Sequence, residues 1–248
     1  MTEGYMPREE QVPRERYRLN TRFLFYIVEI ATTPKGPRVV VSRTRDDLVK
    51  EVFAREVPEV SSGAVELVRV AREPGFRTKV VVKASISGID PVGTCVGQKG
   101  VRVQAVILAL GGDERVDVLP HTDDEAKLVA SALAPAKGLL VNLDNDTRIA
   151  KVLCPVDQIS LAIGREGHNV RLAAKLTGWK IDIHSAQGEE LAEANESGDV
   201  EVKEEETAPE MPESDTTEEA LKENVEAAGE EASTVETNED IPANSEET

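Results

Sequence analysis

The chain has 248 residues, a length that fits one to three domains, and carries 47 Asp and Glu residues against 29 Lys and Arg. Taken as one number, the formal net charge of −18 argues against a nucleic-acid partner. The charge is uneven, however. Residues 186–248 hold 23 acidic residues and 2 lysines, which leaves residues 1–185 with a net charge of +3. A mildly basic body followed by an acidic segment does not exclude nucleic acid.

The cysteine content and the hydropathy of the chain argue against a zinc-binding, a secreted or a membrane-spanning protein. Cys95 and Cys154 are the only cysteines, and the three histidines are scattered, so no zinc-ligand spacing occurs. Two isolated cysteines in apolar surroundings are typical of reduced, buried thiols in a cytoplasmic protein. Residues 1–16 are polar and contain prolines, so we expect no signal peptide. Because no apolar run reaches the roughly 18–20 residues of a membrane span, we expect no membrane partner.

The first predicted elements lie in residues 1–45. Two β-rich runs, residues 23–30 and 38–42, flank a turn at Thr33-Pro34-Lys35-Gly36-Pro37. This pattern predicts a β-hairpin. An isolated hairpin is only marginally stable in water, so we expect it to pack on another part of the chain.

Residues 46–120 show a mixed pattern of helical and strand periods. The predicted elements are a helix from Asp46, strands at 65–70 and 78–82, a short helix from Asp90, a helix at 101–110 and a strand at 115–119. A short glycine loop, Gly97-Gln98-Lys99-Gly100, separates the two later helices.

Residues 121–185 repeat the same order of elements. The predicted elements are a helix at 123–133, strands at 139–143 and 148–152, helices at 157–163 and 169–176, and a strand at 179–183. A second glycine loop, Gly164-Arg165-Glu166-Gly167, again separates the last two helices. Recurrence of a whole element order indicates two copies of one small module, so we predict an α+β fold.

Each glycine loop has the chemistry to hold a sugar-phosphate backbone. Glycine lets the main chain turn sharply and lets a nucleic-acid strand approach closely. The amides at the start of the next helix, together with the helix dipole, favour a phosphate there. Lys99 and Arg165 add full positive charges. This arrangement is similar to that of KH domains, in which a GxxG loop clamps about four nucleotides of single-stranded RNA. The order helix-strand-strand-helix-helix-strand is that of the bacterial KH variant.

The two loops and the helices after them supply the candidate RNA contacts. These residues are Gly97, Gln98, Lys99, Gly100, Arg102, Gly164, Arg165, Glu166, Gly167, Asn169 and Arg171. For a single loop, the alternative is a tight helix–helix turn, and for the helix residues it is a solvated face. Since the carboxylate of Glu166 repels phosphate, we expect the first loop to bind the backbone more strongly. Trp179, which begins a strand, is expected to pack in the core rather than to stack on a base.

No pattern supports catalysis, a cofactor or a metal site. The chain lacks the GxxxxGK[ST] loop of nucleotide hydrolases, and no Ser or Cys stands beside a plausible general base. We therefore expect a binding protein and not an enzyme.

The acidic segment, residues 186–248, has no aromatic residue, and most of its apolar residues are alanine. Such a composition predicts disorder. Two roles stay open for it: competition with RNA or binding of a basic partner on one hand, and a solubilising extension on the other.

Two stretches resemble the NusA family of bacterial transcription termination and antitermination factors. They are residues 90–106, around the first loop, and residues 161–183, around the second. The resemblance, which covers about residues 10–185, implies two KH domains at 46–120 and 121–185, preceded at 1–45 by part of an oligonucleotide-binding (OB) barrel. The family's N-terminal polymerase-binding domain and the first strands of that barrel are not found.

The resemblance also implies a function. It predicts an RNA-binding protein that acts with RNA polymerase and other elongation factors, holds the nascent transcript, and influences elongation, pausing, termination and antitermination in the cytoplasm. A ribosome-associated or RNA-decay KH protein is the alternative among RNA-binding proteins. A scaffold that acts through the acidic segment is the alternative from another class.

Overall fold

The computed structural model describes residues 3–34, 36–185, 190–195 and 199–202. Its strands are β1 (Gly4–Tyr5), β2 (Tyr26–Thr33), β3 (Gly36–Ser42), β4 (Val65–Glu73), β5 (Arg77–Ala84), β6 (Arg115–Pro120), β7 (Leu140–Asp144), β8 (Ile149–Cys154), β9 (Lys180–Ser185), β10 (Glu190–Ala194) and β11 (Val200–Val202). Its helices are α1 (Asp46–Glu56), α2 (Pro58–Ser61), α3 (Pro91–Val96), α4 (Val101–Ala109), α5 (Glu125–Ala132), α6 (Ile159–Ile163) and α7 (His168–Thr177). The strands form three sheets.

The hairpin expected near the N-terminus is present as the antiparallel pair β2–β3, and β1 joins β3 in parallel. Strand β2 begins at Tyr26 rather than Phe23, and the Phe23 ring lies against Tyr17, at a centroid distance of 5.5 Å. An OB barrel needs five strands. The described residues before α1 contain three, so the OB assignment of residues 1–45 stays a prediction.

One buried arginine joins this N-terminal sheet to the next domain. The guanidinium of Arg43 donates to both carboxylate oxygens of Glu15, at 3.1 and 2.5 Å. It also donates to the carbonyl oxygens of Leu24 at 2.8 Å and of Ala109, in α4, at 3.1 Å. A buried guanidinium with its donors engaged fixes the hairpin on the following domain, as the marginal stability of an isolated hairpin requires.

The elements from α1 to β6 form one α+β unit in the predicted order, here called the first KH domain. Strands β4 and β5 are antiparallel, and β6 joins β5 in parallel. Helix α1 packs through residues at helical spacing, and α4 packs beside it. The buried apolar residues of this core are Leu48, Val49, Val52, Phe53, Val57, Val65, Val80, Val82, Cys95, Val106 and Leu110.

The elements from α5 to β9 repeat that architecture in the predicted order and are here called the second KH domain. Strands β7 and β8 are antiparallel, and β9 joins β8 in parallel. Trp179 is 1% exposed and donates through Nε1 to Glu125, at 3.1 Å, so its predicted place in the core is confirmed. The Asp124 side chain accepts from the amide of Lys127 and so caps the first helix of the domain.

The structure corrects the prediction of disorder for part of residues 186–248. Strand β10 pairs with β9, and β11 pairs with β10, so that the second KH sheet has five strands. The reason is local: Ala192 and Ala194, on either side of Glu193, lie on one face of the strand and are 1% and 0% exposed, while β9 supplies a sheet edge for pairing. The remainder of the acidic segment lies outside the described residues.

The two KH domains share apolar contacts. Ala71, Val81 and Leu119 of the first domain belong to the same buried cluster as the core of the second. Helix α7 contacts both β4 and β5. Lys79 crosses this junction: it is buried, pairs with Asp117 at 3.2 Å and donates to Ala134 O at 3.1 Å. Burial lowers the pKa of Lys79 to about 8.

Candidate nucleic-acid interface

The two glycine loops have almost the same backbone conformation. Gly97 has φ 74° and ψ 171°, and Gly164 has φ 76° and ψ 169°. The third positions are left-handed in both loops, with φ 53° at Lys99 and φ 52° at Glu166. Since non-glycine residues seldom adopt this region, the repeated sequence pattern specifies a repeated and uncommon geometry.

Glycine is required at the first position of each loop by a close approach as well as by φ. A Cβ on Gly97 would lie 2.8 Å from Cγ of Arg102. A Cβ on Gly164 would lie 2.7 Å from Cβ of Asn169. Real Cβ atoms do not come so close to other carbon atoms, so each loop folds tightly over the helix that follows it.

Helices α4 and α7 begin directly after the loops without a side-chain cap. Gly100 and Gly167 occupy the N-cap positions, and neither can supply a capping oxygen. The first amides of a helix have no partner within the helix. The first amide of each helix, that of Val101 or of His168, donates to the carbonyl oxygen of Gln98 or of Arg165 in the preceding loop. The amides that follow it, with the positive end of the helix dipole, form a site suited to an anionic oxygen.

The side chains at the tips of the loops differ between the two copies. Gln98 and Lys99 are exposed, and the Lys99 ammonium adds positive charge to the first loop. In the second loop, Arg165 and Glu166 are 90% and 68% exposed, and Nε of Arg165 lies 3.4 Å from Glu166. At the second tip, the opposite charges of Arg165 and Glu166 therefore offset each other.

Arg102 lies beside the first loop but turns back into its own domain. Its Nη1 donates to Glu59 and to the carbonyl oxygen of Thr94, each at 2.9 Å. A hydrogen bond from its own backbone amide, with the one from Arg102, holds the pKa of Glu59 below its usual value. The guanidinium is half-buried, so Arg102 supports the loop more directly than it presents charge to solvent.

The structure places Asn169 in the interior, which does not fit its predicted role as a nucleotide contact. The residue is 1% exposed, and Nδ2 donates to the carbonyl oxygens of Leu133, Leu161 and Ala162 at 2.9–3.1 Å. The amide joins α6, the end of α5 and α7. Asn169 thus fixes the helix pair that carries the second loop.

Arg171 connects the second loop to the first KH domain. Its Nη2 donates to Glu166 O at 3.0 Å, and its Nη1 donates to Glu73, at the end of β4, at 3.2 Å. His168 contacts the same Glu73 carboxylate. Sequence reasoning missed Glu73, because nothing in a single sequence indicates that the end of one domain's strand meets the loop of the next.

The surroundings of the fourth loop positions also differ. Around Gly100, the nearest atom to an added Cβ is Val103 Cγ1, at 3.8 Å. Around Gly167, the nearest is Val200 Cγ1 of β11, at 2.8 Å, and Gly167 is buried. The strand pair β10–β11 therefore covers part of the second loop, whereas the described residues add no strand to the outer edge of β6.

The described residues contain no group of three or more His, Cys, Asp or Glu residues that could hold a metal ion. Burial raises the pKa of the Cys95 thiol to about 11 and raises that of Cys154 as well. Both thiols are free and buried, as expected. Among residues with a described position, every helix is too short or too polar to span a bilayer.

Comparison with known proteins agrees with this geometry. Residues 43–121 match the family description "NusA-like first KH domain", and residues 125–191 match "NusA-like second KH domain". A structure described as "Crystal structure of APE1850" aligns at 23% identity and a TM-score of 0.38, over 55% of this chain and 95% of that chain.

Curated relatives show much higher identity. Proteins named "Transcription termination/antitermination protein NusA" are 47% identical over 190 residues in Halalkalibacterium halodurans, 48% over 183 in Bacillus subtilis and 45% over 183 in Mycobacterium bovis. These alignments cover 76%, 74% and 73% of this chain and 50%, 49% and 52% of the relatives. The chain thus spans about half the length of the curated relatives it matches. With both KH domains matched in order, the chain belongs to the NusA family.

Proposed function

We propose that this chain binds single-stranded RNA through its two GxxG loops and, as a transcription factor that acts with RNA polymerase and other elongation factors, modulates elongation, pausing, termination and antitermination. The observation that carries the RNA-binding part is the repeated loop conformation, with no side-chain cap at the start of α4 or α7. The relatives' printed name supports the part in transcription.

The geometry supports a binding mechanism in which the loops hold the sugar-phosphate backbone of the RNA and leave its bases accessible. A phosphate at the first loop receives hydrogen bonds from amides in the first turn of α4 and a charge contact from Lys99. The side chain of Val101, which is 68% exposed beside the loop, offers an apolar contact to sugar or base. Each module takes about four nucleotides in KH recognition.

The contributions of the two modules are unequal under this proposal. The first loop has the exposed ammonium of Lys99, and no strand in the described part of the chain covers Gly100. The second has the Arg165–Glu166 pair and a fourth position covered by Val200. The first loop is therefore the principal phosphate site. Asn169 is left out of the proposed contacts because it is buried, and Arg102 and Arg171 act mainly by supporting the loops.

Fluorescence anisotropy of a labelled ten-nucleotide RNA, titrated with the full chain over a salt series, tests RNA binding. We expect affinity to fall with salt, because bound phosphates release counterions. The double variant Gln98→Asp/Lys99→Asp should lose about tenfold or more, which is about 1.4 kcal/mol. Lys127→Asp is the control for a basic residue reversed outside the loops, since Lys127 is 76% exposed on α5. A folded double variant with wild-type affinity would contradict the proposal.

The proposed setting has its own test. When the tagged full chain is purified from crosslinked cells, we expect RNA polymerase to be recovered with it in preference to ribosomal subunits. Predominant recovery of ribosomes or of RNA-decay enzymes would favour the alternative RNA-binding roles. We infer a cytoplasmic location and no catalytic activity, so incubation with RNA or nucleotides should give no turnover.

A further inference from the structure

Helix α7, which follows the second GxxG loop, is held at both ends by one strand of the other KH domain. The two residues responsible are Arg69 and Glu73 of β4, here called the β4 charge pair. They are four residues apart with no bulge between them, so both side chains leave the same face of the strand.

Glu73 acts at the N-terminal end of α7. Its side chain is 12% exposed and accepts from His168 Nδ1 and from Arg171 Nη1. Arg171 continues to the carbonyl oxygen of Glu166, inside the loop. The His168 ring stacks on Phe76 of the first domain, at a centroid distance of 5.2 Å and an interplanar angle of 21°. The loop backbone is therefore two hydrogen bonds away from β4.

Arg69 acts at the C-terminal end of the same helix. Its Nη1 donates to Thr177 O at 3.2 Å and to Leu176 O at 3.5 Å. The last carbonyl groups of a helix have no partner within the helix, so Arg69 satisfies groups that would otherwise need water. A positive charge at this end also interacts favourably with the helix dipole.

The spacing and the signs of the β4 charge pair match the helix. Four residues of strand span about 13 Å, and the nine steps from His168 to Thr177 span about 13.5 Å. The carboxylate lies at the positive end of the dipole and the guanidinium at the negative end. This match favours the observed direction of α7, because a reversed helix would place like charges together.

We propose that Arg69 and Glu73 are positioning residues that hold the second GxxG loop at a fixed distance and orientation from the first, so that one RNA strand engages both loops. The inference rests on the proposed RNA-binding function. The energetic consequence is avidity: a rigid pair of sites binds a long strand more tightly than either site alone, and a loose pair loses that gain.

The first experiment measures geometry without RNA. Spin labels are placed on Lys99→Cys and Arg165→Cys in the full chain, whose own thiols are buried with raised pKa values. Pulsed electron–electron double resonance measures the distance between the two spin labels. The distance distribution should be narrow in the parent protein and clearly broader after Glu73→Gln or Arg69→Gln. An unchanged width in both variants would overturn the proposal.

The second experiment compares RNAs of about four and about ten nucleotides. We expect Glu73→Gln and Arg69→Gln each to weaken binding of the long RNA about tenfold and that of the short RNA less than twofold. Glu66→Gln, at an exposed site on the same strand, is the control and should change neither. A purely structural role would lower the melting temperature while leaving the ratio of long-RNA to short-RNA affinity unchanged, and that result would also overturn the proposal.

The outcomes separate this inference from the proposed function. If the parent protein binds neither RNA, the proposed function fails, and the distance measurement still decides the positioning role. If the parent binds and only the loop variants lose affinity, the function stands and the positioning role fails. Should Glu73→Gln not fold, Glu73→Asp, which withdraws the carboxylate by one methylene, serves in its place.

Discussion

The two KH domains have nearly superimposable loop backbones in different surroundings. At Gly97 and Gly164 the φ and ψ values differ by only about 2°. Yet the first loop ends in open space at Gly100, and the second meets Val200 at Gly167. The glycine pattern therefore specifies the shape of the loop, whereas charge and neighbouring strands decide how much of that shape can meet a ligand.

The cores below the loops differ in the same way. Glu114 and Trp179 occupy matching places, each two residues before a repeated apolar-Asp-apolar triplet. Glu114 is 1% exposed and accepts from Arg72 at 2.8 and 2.9 Å, from Gly75 N at 2.9 Å and from Thr78 at 2.5 Å. The first domain thus depends on a buried ionic network where the second uses a buried aromatic ring.

The largest expected effect comes from breaking that network. Glu114→Ala leaves the Arg72 guanidinium buried without its carboxylate, which costs about 3–5 kcal/mol. Urea unfolding followed by circular dichroism measures the loss. Asp47→Ala removes an exposed pair with Lys50 and should cost less than about 1 kcal/mol. Equal, small losses in the two variants would show that the network does not carry the first domain's stability.

The next prediction compares the fourth positions of the loops. Gly100→Ala and Gly167→Ala both force a side chain into the left-handed region, at about 1–2 kcal/mol. At Gly167 the new methyl group also meets Val200, which should add about 1–3 kcal/mol. Thermal unfolding should therefore show a larger loss for Gly167→Ala.

A double variant identifies the source of the difference. Val200→Ala removes the contacting methyl groups, so the excess cost of Gly167→Ala should largely disappear in its presence. If the excess persists, β11 is not what distinguishes the second loop from the first.

Much of this arrangement follows from sequence. Turn residues between β-rich runs predict both KH hairpins, helical spacing predicts α1 and α4, and repetition of the element order converts two weak loop motifs into one strong prediction. The prediction that Trp179 is buried is confirmed. It could be made because a large ring at the start of a strand has few other places to pack.

The features that the sequence did not predict share a physical cause, since each is determined by contacts with residues distant in sequence. Asn169 is polar and adjacent to a loop, but three carbonyl groups of other elements determine its inward position. Residues 190–194 are acidic, but the free edge of β9 stabilises them as a strand. Arg69 and Glu73 resemble the charges of any exposed strand until α7 of the next domain lies against them.

The smallest expected effect is the most direct measure of asymmetry between the loops. Lys99→Asp and Arg165→Asp make the same change of charge at loop tips of the same backbone shape. We expect about a tenfold loss of RNA affinity for Lys99→Asp and about threefold or less for Arg165→Asp, measured by anisotropy at one low salt concentration. The difference arises because Arg165 already pairs with Glu166 and its loop is partly covered by β11. Equal losses would mean that loop backbone alone determines affinity, and that neither Glu166 nor β11 weakens the second site.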